Sequence, residues 1–191
     1  MVRHLRKTTE SENLCIAGGV ALNSVANGRI VKESGFKNVY IQPAAGDGGG
    51  ALGAALYAYH TLLGKPRKLV MRDAYLGQAF EDGEIRAFLD ERGIRYQALD
   101  GETEVIDRTV DALVNGKVIG WYQGRFEWGP RALGNRSIIA DPRRDEMKDI
   151  VNTKIKFREP YRPFAPSILA EEAESYFDLP EALSNDPARF M

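Results

Sequence analysis

Short apolar runs that end at glycine or proline alternate with longer stretches of helical pattern, and this alternation constrains the fold more than any other feature of the sequence. Two such runs occupy residues 14–17 and 38–42, and helices are predicted over 20–32 and 51–63. Strands that are covered on both faces of a parallel sheet have this continuous apolar character. The order strand, helix, strand, helix therefore predicts an α/β fold.

The same alternation begins again after a charged segment. Residues 67–77 are interpreted as a linker, so the sequence predicts one domain over 1–66 and another over 78–191. In the second domain we expect a strand at 117–122 and helices at 81–92 (with Asp82 as N-cap), at 104–115, at 145–151 and within 168–176.

The composition excludes several classes of protein. The 191 residues include 26 basic and 27 acidic side chains, 43% apolar residues and a single cysteine. That apolar fraction is enough for a packed core, and the net charge of −1 argues against a protein that coats nucleic acid. The lone Cys15 excludes an internal disulfide and, in its apolar setting, is expected to be a buried thiol. Because no long apolar stretch is present, we expect no membrane partner and a cytoplasmic location.

Positive charge is concentrated in one part of the chain. Residues 117–162 contain eleven Lys and Arg side chains against six Asp and Glu side chains. In a nearly neutral chain this excess predicts a basic pocket for an anionic ligand, and the alternative is an ordinary solvated face. The sequence contains no Walker-type Gly-Lys-Ser/Thr motif, cysteine pair or catalytic triad.

A pair of glycines separates the first predicted strand from the first predicted helix. Gly18 and Gly19, followed by Asn23, lie where free backbone amides at a helix start would face a ligand. Such amides favour anionic groups such as phosphate. The alternative is that the pair only makes a tight turn from strand to helix.

A second glycine-rich segment, 44–53, follows the second predicted strand and contains one carboxylate. Small neighbours leave Asp47 unshielded and no cation adjoins it in sequence, which suits a metal ligand or a contact to a metal-bound phosphate. The alternative role for Asp47 is that of an N-cap. Three consecutive glycines favour the metal site, because a cap does not require so much backbone entropy to be lost.

Two clusters of cations lie in the later half of the chain. In 123–137, three arginines alternate with aromatic and turn-forming residues, and their guanidinium groups suit phosphate or carboxylate. In 152–167, the residues Lys154, Lys156 and Arg158 alternate along an interpreted extended segment, which would place them on one face. The alternatives are an arginine-rich surface loop and an exposed edge strand protected by charge. If the clusters converge, they form one anion site.

Five segments together resemble one known family. They are residues 17–23 (AGGVALN), 43–47 (PAAGD), 75–77 (YLG), 129–137 (GPRALGNRS) and 162–167 (RPFAPS). In this order they resemble the C-terminal portion of the O-carbamoyltransferases of nodulation-factor, cephamycin and aminoglycoside biosynthesis. The resemblance extends over nearly the whole chain, which makes it more specific than any single motif.

The resemblance implies a fold and an activity. The first domain would be the C-terminal part of an actin/sugar-kinase-like transferase lobe, and the second a YrdC-like domain that is incomplete at its C-terminus. In such enzymes the YrdC-like domain makes carbamoyl adenylate from carbamoyl phosphate and ATP. The other domain then transfers the carbamoyl group to an acceptor hydroxyl with the help of a divalent metal ion, iron or magnesium.

The resemblance also implies roles for individual residues. Asp47 would be the metal ligand, and the nucleotide site of the first domain would be lined by Gly18, Gly19 and Asn23. The catalytic residues would be Arg131, Arg136 and Ser137. The rest of the carbamoyl phosphate and ATP pocket would consist of Lys154, Lys156, Arg158, Arg162 and Ser167. Fixed cations in such a pocket would stabilise charge on the phosphates during adenylation.

One part of the family's pattern is missing from this sequence. The metal-binding histidines of the family belong to an N-terminal lobe, so the chain is expected to be a fragment, a truncated reading frame or one subunit of a split enzyme. Its partners would be small-molecule substrates and either a separately encoded N-terminal lobe or a second copy. The isolated chain is expected to be inactive in transfer. The alternative function is a non-catalytic nucleotide- or RNA-binding module, and the acceptor stays open.

Overall fold

The computed structural model describes residues 1–178, which form two compact units. Unit 1 contains residues 1–76, 127–133 and 168–178, and unit 2 contains 77–126 and 134–167. The backbone therefore leaves unit 1 after residue 76, returns to it briefly and returns again near the end of the described part. The predicted domains stay predictions, and the last part of the second, 179–191, lies outside the described residues.

The order of elements is mixed α/β, which confirms the predicted class. The first part contains α1 (Val2–Thr9), β1 (Asn13–Ile16), a 3-10 turn (Gly19–Leu22), α2 (Ser24–Glu33), β2 (Asn38–Ile41) and α3 (Asp47–Tyr57), which continues as a π-helical turn (Ala58–Leu62). The later part contains α4 (Asp82–Glu91), α5 (Glu102–Val114), β3 (Ile119–Tyr122), β4 (Arg136–Ile139), α6 (Met147–Ile150), a π-helical turn (Val151–Ile155), a 3-10 turn (Ala170–Glu172) and α7 (Ala173–Tyr176). The actin-like and YrdC-like assignments stay predictions.

The core of unit 1 forms around a parallel strand pair. β1 pairs with β2 so that Asn13 lies opposite Asn38 and Ile16 opposite Ile41. The buried apolar side chains that pack together here are Leu14, Ala21, Val31, Phe36, Val39, Ile41 and Ala45. Both predicted strands are confirmed, and their shared direction brings their carboxyl ends to one edge of the pair.

The side chain of Cys15 is exposed, so the prediction of a buried thiol is wrong. Side chains alternate between the two faces of a strand. In β1, Leu14 takes the buried face and Cys15 takes the opposite one, which the described residues leave uncovered. The apolar character of the run therefore did not mean that both faces of β1 are covered within this part of the chain.

Two predicted helices of unit 1 have different starts in the structure. The segment predicted as one helix over 20–32 is divided, because Asn23 caps α2 and the preceding 3-10 turn is separate. The helix predicted from residue 51 begins at Asp47. The three consecutive glycines therefore lie inside the first turn of α3 rather than in a loop before it.

The start of α4 in unit 2 corrects one predicted detail. Asp82 is the first residue of this helix, and Glu81 is its N-cap. The Glu84 carboxylate accepts a 2.8 Å hydrogen bond from the Glu81 N–H, as in a capping box. Gly93 follows the helix with φ 62, a conformation that suits glycine and ends the helix as predicted.

Unit 2 contains an antiparallel strand pair. β3 pairs with β4 so that Ile119 lies opposite Ile139 and Tyr122 opposite Arg136. The predicted strand at 117–122 is confirmed in β3, whereas β4 is a strand that the sequence pattern did not predict. The polar residues Arg136 and Ser137 begin this strand, so the sequence lacks the continuous apolar run that would indicate a strand.

Most helices of the chain are short and exposed. None of the residues of α3, α4 or α5 is buried within the described part of the chain. Among residues 1–178, no helix combines the length and apolar character that crossing a membrane would require.

Candidate functional site

The first two glycine-bearing segments meet at the carboxyl ends of β1 and β2. Gly18 donates a 2.8 Å backbone hydrogen bond to the carbonyl oxygen of Ala45, so the turn after β1 is joined to the turn after β2. Gly18 has φ 97, which glycine adopts at little cost. Ligand sites of parallel sheets form outside the carboxyl ends of the strands. The structure therefore joins the predicted nucleotide segment 18–23 to the segment that contains Asp47.

Within segment 18–23, the glycines are open and the asparagine is used locally. A Cβ atom added at Gly18 or Gly19 would meet no other atom within 4 Å, so the backbone there is accessible to a ligand. The Asn23 side-chain oxygen accepts a 3.0 Å hydrogen bond from the Ala26 N–H and caps α2. A ligand contact through that oxygen would compete with the cap.

Asp47 is the first residue of α3, and its side chain is exposed. The N-cap is Gly46, so the alternative interpretation of Asp47 as a cap is wrong. An acidic side chain in the first turn is favourable beside the helix dipole. Within residues 1–178, no group of three or more His, Cys, Asp or Glu side chains is placed to hold a metal ion.

Among the consecutive glycines, the geometry requires only Gly49. A Cβ atom at Gly49 would lie 2.0 Å from the carbonyl oxygen of Ala44, a distance that no real contact reaches. A Cβ atom at Gly48 or Gly50 would meet nothing within 4 Å. Gly49 therefore lets the start of α3 approach the turn after β2, while its neighbours leave the helix surface smooth.

The middle of the predicted arginine cluster 123–137, residues 127–133, belongs to unit 1. Its two ends are held by the preceding chain: the Trp128 N–H donates to the carbonyl of Ala74, and the Tyr75 hydroxyl donates a 2.7 Å hydrogen bond to the carbonyl of Leu133. The indole Nε1 of Trp128 is buried and has no hydrogen-bond partner among the described residues.

Arg131 and Gly129 join this segment to the other two motifs of unit 1. The Nη2 atom of Arg131 donates a 2.6 Å hydrogen bond to the carbonyl oxygen of Leu22, at the end of the 3-10 turn. Gly129 has φ 124, and a Cβ atom there would lie 2.9 Å from the carbonyl oxygen of Pro43. Three segments that are far apart in sequence, 18–23, 43–50 and 127–133, are thus brought together.

The end of the arginine cluster 123–137, with Arg136 and Ser137, belongs to unit 2. The Cζ atom of Arg136 lies 3.6 Å from the centroid of the Tyr122 ring and 3.9 Å from that of Phe126. Its terminal nitrogens donate to the carbonyl oxygens of Gln123, Gly124 and Asn135. Stacking and backbone bonding together give Arg136 a role in holding the 123–126 turn.

Ser137 also makes a local contact. Its hydroxyl oxygen accepts a 2.9 Å hydrogen bond from the Gly134 N–H. This bond closes the turn that leads into β4, in the way that serine side chains commonly stabilise turns. Arg131 therefore lies in unit 1, and Arg136 and Ser137 lie in unit 2, although the sequence predicts one cluster for the three.

The prediction that Lys154, Lys156 and Arg158 share one face of an extended segment is wrong. Lys154 lies within the π-helical turn, and Lys156 ends it with helical backbone angles. The edge-strand alternative fails for the same reason. Burial explains the outcome, because Met147 and Val151 are four residues apart and both face the interior, which is helical spacing.

Asn152 organises the segment that follows the π-helical turn. Its side chain is fully buried; Nδ2 donates to the carbonyl oxygens of Pro160 (3.2 Å) and Arg162 (3.0 Å). Its Oδ1 accepts a 2.7 Å hydrogen bond from Nε of Arg158. The predicted cations Arg158 and Arg162 are thus brought to one loop through a residue that the sequence did not single out.

The remaining cation contacts are on the surface. Nε of Arg162 lies 2.9 Å from the Glu159 carboxylate, which raises the pKa of the Arg162 guanidinium. The Arg158 guanidinium lies 4.9 Å from the centroid of the Phe164 ring. Ser167 is exposed in an irregular segment at the end of unit 2. An exposed ion pair such as Arg162–Glu159 contributes little to stability, so Arg162 is able to exchange this partner for a ligand.

Comparison with known proteins explains this combination of motifs. Residues 1–56 match the family model described as "Carbamoyltransferase N-terminus", and residues 110–191 match the one described as "Carbamoyltransferase C-terminus". The two matched ranges together cover more than half of the chain and occur in the family's order. The chain belongs to the carbamoyltransferase family.

Individual relatives agree with this membership. The nodulation protein NolO of Bradyrhizobium diazoefficiens is 43% identical over 97% of this chain and 34% of its own length. The 3'-hydroxymethylcephem-O-carbamoyltransferase of Streptomyces clavuligerus is 34% identical over 90% of this chain and 31% of its own. An uncharacterised protein of Synechocystis, sll1178, is 51% identical over 88% of this chain and 28% of its own. The chain spans about a third of the length of these relatives.

Two shallow hollows in this carbamoyltransferase-family chain lie away from the predicted residues. One of about 460 Å³ in unit 2 is bordered by α5 and β3, including Thr109 and Trp121. Another of about 450 Å³ in unit 1 is bordered by Arg3, Arg6 and Lys7 of α1 and by residues 33–35. None of the twelve predicted site residues borders either hollow.

Sequence reasoning missed residues whose importance depends on backbone atoms. Leu22 contributes through its carbonyl oxygen, which accepts the bond from Arg131, and no sequence signal identifies such a role. Asn152 could have been found, because an asparagine next to Val151 on a buried helical stripe must satisfy its amide internally. The carbamoyltransferase motifs themselves drew attention to charged groups instead.

Proposed function

We propose that this chain forms part of an ATP-dependent O-carbamoyltransferase, which activates carbamoyl phosphate as carbamoyl adenylate and transfers the carbamoyl group to a hydroxyl acceptor. Membership of the carbamoyltransferase family supports the class of reaction. The name of the Streptomyces clavuligerus relative supports a hydroxyl group as the acceptor. The sugar or other scaffold that carries the hydroxyl is left open.

The observation that carries the proposal is the convergence of three motif segments in unit 1. Gly18 bonds to Ala45, Arg131 bonds to Leu22, and Gly129 lies against Pro43. The convergence places open glycine backbone and one exposed guanidinium at the carboxyl ends of two parallel strands. Backbone amides and a guanidinium are donors that suit phosphate and carboxylate oxygens.

The proposed reaction has three steps: hydrolysis of carbamoyl phosphate, adenylation of carbamate, and transfer of the carbamoyl group. Water releases phosphate from carbamoyl phosphate and leaves carbamate, whose oxygen attacks the α-phosphorus of ATP and displaces pyrophosphate. The acceptor hydroxyl then attacks the carbamoyl carbon, loses its proton to a base, and AMP leaves. Negative charge is present on phosphate oxygens in every step before AMP leaves, which is the charge that fixed guanidinium groups stabilise.

In this proposal the cations divide between two tasks. Arg131 in unit 1 would contact the group being transferred, while Lys154, Lys156, Arg158 and Arg162 in unit 2 would contact the phosphates of ATP and carbamoyl phosphate, with Ser167 beside them. Arg136 and Ser137 would hold the turn that leads from one segment to the next, in keeping with their stacking and turn contacts. Gly18, Gly19 and Asn23 would line the nucleotide site.

The residues of this chain do not by themselves fit a metal centre. Asp47 supplies one exposed carboxylate, and within residues 1–178 no group of three or more potential ligands is placed around a common point. A divalent ion, iron or magnesium, needs more ligands than one carboxylate. We therefore derive no step through a metal and keep Asp47 as a proposed single ligand, with the others supplied by a partner.

The test is carbamoyl-phosphate-dependent exchange of labelled pyrophosphate into ATP by the full chain, together with calorimetric binding of carbamoyl phosphate. We expect Arg131→Ala to lower exchange at least ten-fold. Arg125→Ala is the matched control, because Arg125 also donates to a backbone carbonyl, that of Gly77, but at a position to which we assign no role. If the unaltered chain shows neither exchange nor saturable binding of carbamoyl phosphate, the proposal is overturned.

A second observation favours a role in assembly with a partner polypeptide. Among the described helices of eight or more residues, α3 is the most apolar, yet none of its eleven residues is buried within residues 1–178. Tyr57 at the end of this helix and Leu62 and Leu63 beyond it are exposed, and an exposed apolar patch of this kind indicates an interaction surface. A second copy, or the part of the transferase domain that the longer relatives carry, would cover this face.

Light scattering after size exclusion tests the assembly role. A dimer that becomes monomeric in the double variant Leu62→Asp, Leu63→Asp identifies the second copy as the partner. A monomer that co-elutes with a co-expressed N-terminal domain of the NolO relative, and fails to do so in the same variant, identifies the lobe. Unchanged elution in both experiments would contradict the assembly role.

A further inference from the structure

We infer that the loop after the π-helical turn of unit 2 binds a nucleobase, with the ring of Phe157 stacking on the adenine of ATP. The inference rests on the proposed function for the identity of the nucleotide. It assigns a role to a residue that neither the motifs nor the comparisons single out. Phe157 combines a left-handed backbone conformation, hydrogen bonds that fix both of its neighbours, and cations on either side of it in sequence.

Phe157 has a backbone conformation that its side chain disfavours. Its φ is 48, in the left-handed region where a bulky residue is a genuine outlier. The residue is 84% exposed, so burial of the ring does not compensate for the strain. Such conformations persist where the surrounding structure holds them, and they are concentrated at functional sites. The ring is therefore presented to solvent by a backbone conformation that contacts of the neighbouring residues must maintain.

The residues on both sides of Phe157 are held by hydrogen bonds to Val151 and to the buried Asn152. Its main-chain carbonyl accepts a 3.0 Å hydrogen bond from the Arg158 N–H, immediately after Phe157. Its side chain holds the Arg158 guanidinium and the carbonyl oxygens of Pro160 and Arg162. Before Phe157, the Lys156 N–H donates to the carbonyl oxygen of Val151. With both neighbours fixed in this way, Phe157 has little freedom to leave the strained region.

Cations accompany the ring on both sides in sequence. Lys156 precedes Phe157 and Arg158 follows it, and Lys154 lies on the turn before them. An aromatic face binds a base of any identity by stacking, and neighbouring cations bind the attached phosphates. A single presented ring suits one nucleotide better than a strand of RNA, which needs successive stacking platforms, and the net charge of −1 agrees with that choice.

Two probes separate contact with the base from contact with the phosphates: ATP and inorganic tripolyphosphate. We expect Phe157→Ala to weaken ATP binding roughly ten-fold, because the base loses the aromatic ring on which it stacks. Binding of tripolyphosphate should be unchanged. Phe157→Tyr should keep ATP affinity. The matched control is Tyr176→Ala, which removes an aromatic residue of 73% exposure from unit 1 and should change neither affinity.

Phe157→Gly tests strain and stacking together. Glycine adopts φ 48 without cost, so this variant should melt at a higher temperature than the unaltered chain while binding ATP as weakly as Phe157→Ala. Equal ATP affinity in the Phe157→Ala and unaltered chains would overturn the inference. An equal loss of affinity for ATP and for tripolyphosphate in Phe157→Ala would also overturn it. The same holds if the chain does not bind ATP but binds RNA in a salt-sensitive way that depends on Phe157. If the chain shows neither pyrophosphate exchange nor carbamoyl phosphate binding while Phe157-dependent ATP binding is intact, the proposed function alone is overturned.

Discussion

The Nη2 atom of Arg131 donates a 2.6 Å hydrogen bond to the carbonyl oxygen of Leu22, although the two residues are 109 positions apart in the chain. The bond ties the arginine of one motif to the 3-10 turn of another, within unit 1. It makes the position of the guanidinium dependent on the glycine-bearing turn after β1. The predictions that follow concern this tie and the local contacts around the other motifs.

Replacing Arg131 with methionine should loosen the turn that it holds. The expected loss of unfolding free energy is about 1 kcal/mol, the usual net value of one hydrogen bond, because Arg131 is exposed to solvent. Hydrogen exchange should show faster exchange of the Asn23 amide, which bonds to Val20 within that turn. Arg125→Met should leave the Asn23 amide unchanged, and equal exchange in both variants would show that the tie has no effect.

Alanine at neighbouring glycines should have opposite effects on stability. Gly49→Ala places a Cβ atom 2.0 Å from the Ala44 carbonyl oxygen, so the turn must move. We expect unfolding free energy to fall by about 3 kcal/mol, as overpacking does. Gly50→Ala meets nothing within 4 Å and should raise it by up to about 1 kcal/mol through lower chain entropy. Urea denaturation of the two variants measures the difference, and similar midpoints would contradict the geometry.

The cap of α4 distinguishes two acidic residues of its first turn. Glu84→Ala removes the acceptor for the Glu81 N–H and should cost about 1 kcal/mol. Asp82→Ala removes only a favourable charge near the helix dipole and should cost a few tenths. Thermal melting of the two variants compares them directly. A larger loss in Asp82→Ala would restore the assignment of Asp82 as the cap.

Acid should lower the free energy of unfolding through protonation of Asp141. Side-chain hydrogen bonds from Arg143 hold the pKa of the Asp141 carboxyl at about 2, below its ordinary value of 3.8. The unfolded chain then binds more protons than the folded chain between about pH 4 and pH 2, so this contribution to stability is lost as pH falls through that window. Above about pH 4 the contribution is fully present.

Arg143→Ala removes the cause of that shift. The variant should be less stable at neutral pH, and its acid transition in circular dichroism should move to higher pH. The matched control is Arg144→Ala, because Arg144 is the next residue, lies 4.0 Å from Glu146, and lowers the pKa of Asp141 less than Arg143 does. An acid transition that is identical in the Arg143 and Arg144 variants would contradict the assignment.

The sequence predicted which helices and strands form more successfully than where each one begins and ends. The strands β1, β2 and β3 were found because their apolar runs are short and bounded by glycine or polar residues. The strand β4 was missed because Arg136 opens it, and the arginine is tolerated there because it stacks on Tyr122 of the paired strand. The alternation of Lys154, Lys156 and Arg158 matched the period of a strand, but the buried Met147 and Val151 enforced a helical period.

The sequence by itself determined which residues are present in the candidate site and the family to which their order belongs, because short motifs of glycine, arginine and aspartate depend on local chemistry. Only the tertiary structure decided that Arg131 lies with Leu22 in unit 1 while Arg136 lies with Tyr122 in unit 2. The two arginines are only five residues apart, but one guanidinium donates to a backbone carbonyl and the other stacks on an aromatic ring. Their positions differ because distant segments of the chain supply these two partners.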